Sequence, residues 1–217
     1  RSRVRRLGTQ PPTGAGRPSS KAMRTTLAPL VAFLLLAASP LAVQAEPTAA
    51  EKVRAEVLFT DGKKLFEEGK TAEACRKLEE SLRIERAGGT LLALATCHEG
   101  EGRTASAWIE FTDSLALAML KGRADREKTA RDHLAVLEPK LSKITIGVAA
   151  GSDPALVVKL DDAIIGSASF GSGFPIDPGA HTVEARAPGK AAWRKVVQVG
   201  SSADRVTIVV PRLEPES

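Results

Sequence analysis

The stretch that decides the fold occurs twice. It runs Gly69-Lys70-Thr71-Ala72-Glu73-Ala74-Cys75-Arg76-Lys77-Leu78-Glu79-Glu80-Ser81-Leu82 and returns 33 residues on as Gly102-Arg103-Thr104-Ala105-Ser106-Ala107-Trp108-Ile109-Glu110-Phe111-Thr112-Asp113-Ser114-Leu115. Gly69 lies on Gly102, Thr71 on Thr104, Ala72 on Ala105, Ala74 on Ala107, Leu78 on Phe111, Ser81 on Ser114 and Leu82 on Leu115. In the first copy Ala74, Cys75, Leu78, Ser81 and Leu82 recur at helical spacing, which predicts a helix with one buried stripe. Thr71 is placed to N-cap it, and Ala87-Gly88-Gly89 to end it. Upstream, Val53, Val57, Leu58, Leu65 and Phe66 form another helical stripe that Gly69-Lys70-Thr71 interrupts. The unit is a helical hairpin, and its repetition at this length signals a stacked array.

Working outward, Arg123 to Leu137 supplies a further helix before Pro139, with Ala130, Leu134 and Leu137 on one face, and closes the stack. The charges between Arg123 and Arg131 alternate in sign and read as a solvated face. The pattern over residues 50–141 resembles the tetratricopeptide repeat. Gly62, Leu65, Gly69, Ala74, Leu78 and Ser81 stand at that family's positions in the first copy, and Ala95, His98, Gly102, Ala107, Phe111 and Ser114 in the second. The resemblance implies a concave groove on the first helix of each hairpin, at Phe59, Lys63, Phe66 and Glu67, then Leu92, Thr96 and Glu99. It also places Cys75 and Cys97 on neighbouring helices. The two cysteines are either a disulfide or two buried small apolar residues, and both readings stay open.

After Pro139 the period changes to alternation, as in Ile144, Ile146 and Val148. Turn signals then recur at Asp161-Asp162, Asp177-Pro178-Gly179 and Pro188-Gly189-Lys190. Leu156 to Leu160, Val183 to Ala187, Val196 to Val199 and Val206 to Val210 are the clearest of roughly seven short strands, which points to a small β-sandwich over residues 142–212 with no helix. The stretches Asp153-Pro154-Ala155, Asp161 to Gly166, and Pro178-Gly179-Ala180-His181-Thr182-Val183-Glu184-Ala185-Arg186-Ala187-Pro188-Gly189 resemble the PEGA domain. The resemblance implies a β module of bacterial surface and envelope proteins. The fold class expected is therefore α+β in two domains, helical hairpins followed by a sandwich.

The first 45 residues read differently. Residues 1–22 are polar and rich in Arg, Pro, Gly and Ser, and form an upstream extension unable to build a core. Residues 23–45 read as a signal peptide: Met23-Arg24 begins a basic segment, Leu27 to Ala38 is apolar, Pro40 breaks it, and Val43-Gln44-Ala45 places small residues before a cleavage between Ala45 and Glu46. Pro29, Pro40 and that site argue against a membrane anchor, so no transmembrane segment is expected after cleavage. Of the 31 basic residues seven precede Glu46, which leaves 24 against 26 acids and makes the exported part mildly acidic. With no Tyr, two Trp and six Phe the chain also lacks stacking aromatics, and nucleic-acid binding is disfavoured.

No spacing supplies catalysis, a cofactor or a metal site. His98-Glu99 lacks a second histidine at helical spacing, and His98 falls at a packing position of the repeat. His133 and His181 stand alone. Gly14-Ala15-Gly16 and Gly171-Ser172-Gly173 lack the lysine of a phosphate-binding loop. Trp108 and Trp193 read as core. The function expected is that of a non-enzymatic interaction or scaffold protein of the bacterial cell envelope, periplasmic or secreted, holding an envelope protein or peptide segment. The second expectation is a cell-wall or glycan-binding accessory protein.

Overall fold

A computed structural model describes residues 46–216. The leader and its cleavage bond lie outside them, apart from Glu46. Among the described residues five helices precede seven strands, an α+β order. Helix α1 (Ala49–Glu67) opens with a capping box, in which Thr48 Oγ1 accepts from Glu51 N–H and the Glu51 carboxylate accepts from Thr48 N–H at 2.8 Å. Its expected stripe needs correction. Leu65 and Phe66 of that stripe pack on the helical core, but Val53 and Val57 are 65% and 55% exposed, and the fully buried residues of the helix are Ala55 and Gly62. The reason is close approach: a Cβ on Gly62 would stand 2.8 Å from Leu78 Cγ, so only small residues fit where α1 meets α2 (Thr71–Ile84).

Two helix ends also differ from expectation. Thr71 is the first residue of α2 and makes no capping bond, the N-cap being Lys70. Gly88 and Gly89 do not follow α2 as terminators but open α3 (Gly88–Gly100), because Glu85 already leaves helical geometry. Helix α4 (Thr104–Leu120) pairs with α3, and α5 (Ala124–Leu137) covers it, ending in a 3₁₀ turn at Glu138–Lys140 that contains Pro139. Gly69 and Gly102 take φ of 76° and 77° at equivalent turns. The 33-residue shift is visible in the bonding: Ser81 Oγ donates to the Ala55 carbonyl at 2.8 Å, and Ser114 Oγ to the Gly88 carbonyl at 3.0 Å. Leu78, Leu94, Cys75 and Cys97 fill one core, and Phe111, Ala95, Ala107, Ala130 and Leu137 the next.

The β region contains β1 (Lys143–Val148), β2 (Val157–Leu160), β3 (Ala163–Ile165), β4 (Gly173–Pro175), β5 (Gly179–Arg186), β6 (Trp193–Val199) and β7 (Arg205–Val210). They form two sheets, ordered β4-β1-β7 and β3-β2-β5-β6, with β1 and β7 parallel and the other neighbours antiparallel. Ile144, Ile146, Ile208 and Val210 of the first sheet and Val158, Val183, Ala185 and Val197 of the second share one core. The strands anticipated by alternation are present, while β3 and β4 have only three residues each, and a 3₁₀ turn at Ser167–Ser169 stands where no helical turn was expected. Asp161 and Asp162 take φ of 45° and 69°, the conformation a two-residue hairpin between Leu160 and Ala163 requires.

Helical and β regions join at Leu141 and Ser142, both buried, and belong to one compact unit, Ala45–Ser217. Ser142 Oγ donates to Gly200 O at 2.7 Å and accepts from Asp204 N–H, while Arg205 donates to Leu141 O at 2.8 Å. No helix among the described residues is long and apolar enough to cross a membrane.

Candidate binding groove

A cavity of about 340 Å³ opens on the helical region between α1, α3 and α5. Phe59, Lys63, Phe66 and Glu67 reach it from α1, Leu92, Ala93 and Thr96 from α3, and Leu78 of α2 closes its floor. These α1 positions lie three or four residues apart on one face, as do Leu92 and Thr96, so the turn-to-turn register of each helix brings them together. Six of the seven groove residues expected from the sequence therefore share one cavity. The seventh, Glu99, is turned away from it: its carboxylate pairs with His133 Nδ1 at 2.6 Å, because α5 presents a histidine to that side of α3.

The sequence reading missed Arg126 and Thr129 of α5, which form the opposite wall. Most of the α5 charges do pair in a solvated face: Arg123 with Asp125, Lys128 with Asp132, Arg131 with Glu127. Arg126 has no acid three or four positions away, and that absence was a readable signal. Its guanidinium instead rests on the α3 backbone, where a Cβ on Gly89 would stand 3.1 Å from it. Lys63 Nζ sits 5.7 Å from the centre of the Phe59 ring. Among the described residues neither Lys63 nor Arg126 has a carboxylate within ion-pair reach. The cavity thus combines an apolar floor with two cations and one acid.

Behind the groove, Cys75 and Cys97 are joined by a disulfide with Cα atoms 5.6 Å apart, tying α2 to α3. Beside it lies a buried polar network. His98 is 2% exposed, its Nδ1 bonds the Glu110 carboxylate at 2.8 Å, and its Nε2 meets Arg103 at 2.7 Å and Glu79 at 3.2 Å. Burial pushes this imidazole toward the neutral form and Arg103 does the same, but the bond and charge of Glu110, helped by Glu79, outweigh both and hold its pKa above the ordinary value. Cys75, His98 and Glu101 come within 4.8 Å of one another, yet the Cys75 sulfur is bonded and the Arg103 guanidinium repels a cation at the same place.

His133, His181 and the two tryptophans each have partners of their own. His133 stacks on Phe111 with ring centres 4.5 Å apart. His181 bridges Asp161 and the Asp177 carbonyl at 2.5 and 2.8 Å. Trp108 packs on the second helical core and Trp193 on the sandwich core, both half-buried. No family model matches the chain, and no curated protein matches it.

Proposed function

We propose that this protein is an exported, non-enzymatic interaction protein of the bacterial envelope whose tetratricopeptide-like helices hold an extended segment of a partner protein, with a PEGA-like sandwich joined to them. The observation that carries the reading is the cavity lined by Phe59, Lys63, Phe66, Leu92 and Arg126. Its floor suits an apolar side chain, and Lys63 and Arg126 suit an adjacent carboxylate. Desolvated aromatic and arginine contacts of this kind carry most of the energy in peptide recognition.

The reading is tested with an immobilised unit, Ala45–Ser217, panned against a random peptide library. Selected peptides should pair an apolar residue with an acidic one, and Phe66→Ala or Arg126→Ala should weaken them at least tenfold, about 1.4 kcal/mol, with the circular dichroism spectrum unchanged. Selection of no consensus, or a consensus indifferent to both substitutions, overturns it.

A further inference from the structure

The edge of β7 is unpartnered and shares no residue with the groove. Strand β7 ends its sheet, pairing with β1 alone. Asp204 O and Val210 O accept from Lys143 N–H and Ala149 N–H of the β1 side. Main-chain direction alternates along a strand, so the groups of Thr207 and Val209 point the other way. Among the described residues nothing bonds them. The other edges are guarded. Strands β3 and β4 have three residues each, and β6 carries Arg194 and Lys195, charges that discourage strand addition. In contrast Val206-Thr207-Ile208-Val209-Val210 is uncharged and wholly β-branched, with Val209 61% exposed.

We propose that this edge pairs antiparallel with β7 of a second copy of the chain, across a two-fold axis at Ile208. Self-complementarity selects the occupant. With Ile208 opposite Ile208, Val206 falls opposite Val210 and Thr207 opposite Val209 of the second copy. Inward residues then meet inward residues, whereas a shift of one would set core side chains against solvent-facing ones. The same register sets Asp204 of one strand opposite Arg212 of the other, and Arg205 opposite Pro211. Each Thr207–Val209 pair exchanges two main-chain hydrogen bonds, giving four across the axis and one continuous six-stranded sheet. Arg205 N–H is already taken by its neighbour Asp204 at 2.7 Å, and Pro211 offers no donor, so the pairing ends there. Contact confined to one edge is small, and the dimer is weak and concentration-dependent.

Sedimentation of the unit Ala45–Ser217 over a concentration series tests this, together with Thr207→Pro and Val209→Lys. Thr207→Pro removes an outward donor without touching a β1 bond, and Val209→Lys places a charge on the edge. The native unit should double in mass as concentration rises, with the Thr207 and Val209 amides gaining protection from exchange, and each variant should stay at the monomer mass. A monomer at every concentration overturns the proposal, as does a dimer that Val209→Lys leaves intact or one in which those two amides exchange freely.

Discussion

His98 shows how far one side chain depends on groups distant in the chain. Its ring is enclosed, and two carboxylates, Glu110 from α4 and Glu79 from α2, compete with Arg103 for its nitrogens. The outcome is a pKa above the ordinary value, and the sign of the stability effect follows. A raised folded-state pKa means that the folded chain binds the proton more tightly than the unfolded one. The contribution is complete below the unfolded value of about 6.5 and is lost as pH rises through the folded value. His98→Gln should therefore flatten the decline of unfolding free energy on the alkaline side of about pH 6.5. Urea titrations at stepped pH measure it, and parallel curves for the native protein and the variant would refute the assignment. The resemblance to the tetratricopeptide repeat implies a packing position for His98, and it is buried there. Its carboxylate partners were illegible, because Glu79 and Glu110 come from other helices and look like ordinary solvated charges.

At the scale of the element, the α2–α3 contact is the one held covalently. The Cys75–Cys97 bond closes a loop of 22 residues, and in the chain-entropy account such a loop contributes about 3 kcal/mol. Replacing both cysteines by Ala should lower the melting temperature by about 10 °C for a unit of this size. Scanning calorimetry of the native and double-alanine proteins checks this, and a shift within a degree or two would show the staple to be redundant. Mass spectrometry after alkylation without reductant should find no free thiol. Helix existence was legible here because the repeat repeats its packing: Gly62 and Ala95, Ala74 and Ala107, Ser81 and Ser114 are all buried. Helix ends were not. Gly88-Gly89 looked like a stop, but Glu85 had already ended α2, and two small residues let α3 start against Leu117 and Arg126. Val53 and Val57 had the right spacing and the wrong side, since periodicity fixes a face without saying which small residues will take the closest contact.

For the whole molecule the governing question is what fixes the β region against the helices, and part of the answer is a helix cap supplied from 71 residues away. Helix α4 has no side-chain cap of its own, its N-cap position being Arg103. Asp177, in the turn before β5, provides one: Oδ1 accepts from Ala105 N–H and Ser106 N–H at 2.8 and 2.9 Å, and Oδ2 accepts from the Ser106 hydroxyl at 2.5 Å. Arg103 Nε adds a cation 3.6 Å from the same carboxylate. A carboxylate at a helix N-terminus meets both the free N–H groups and the positive end of the dipole. The turn is itself pinned, because His181 bonds the Asp177 carbonyl and the Asp161 carboxylate. Sequence alone marked Asp177-Pro178-Gly179 as a turn and stopped there, since no local pattern says that a turn will cap a helix of another region. Asp177→Ala should cost about 1–2 kcal/mol, and the loss should be confined to one side of the junction. The Ala105 and Ser106 amides would exchange faster, while Val183 and Val197, in a core that Asp177 does not enter, would keep their protection. Should the two α4 amides exchange as before, the cap holds nothing, and the orientation of the two regions must rest on the junction, where Ala203 N–H bonds Lys140 O beside Leu141 and Ser142.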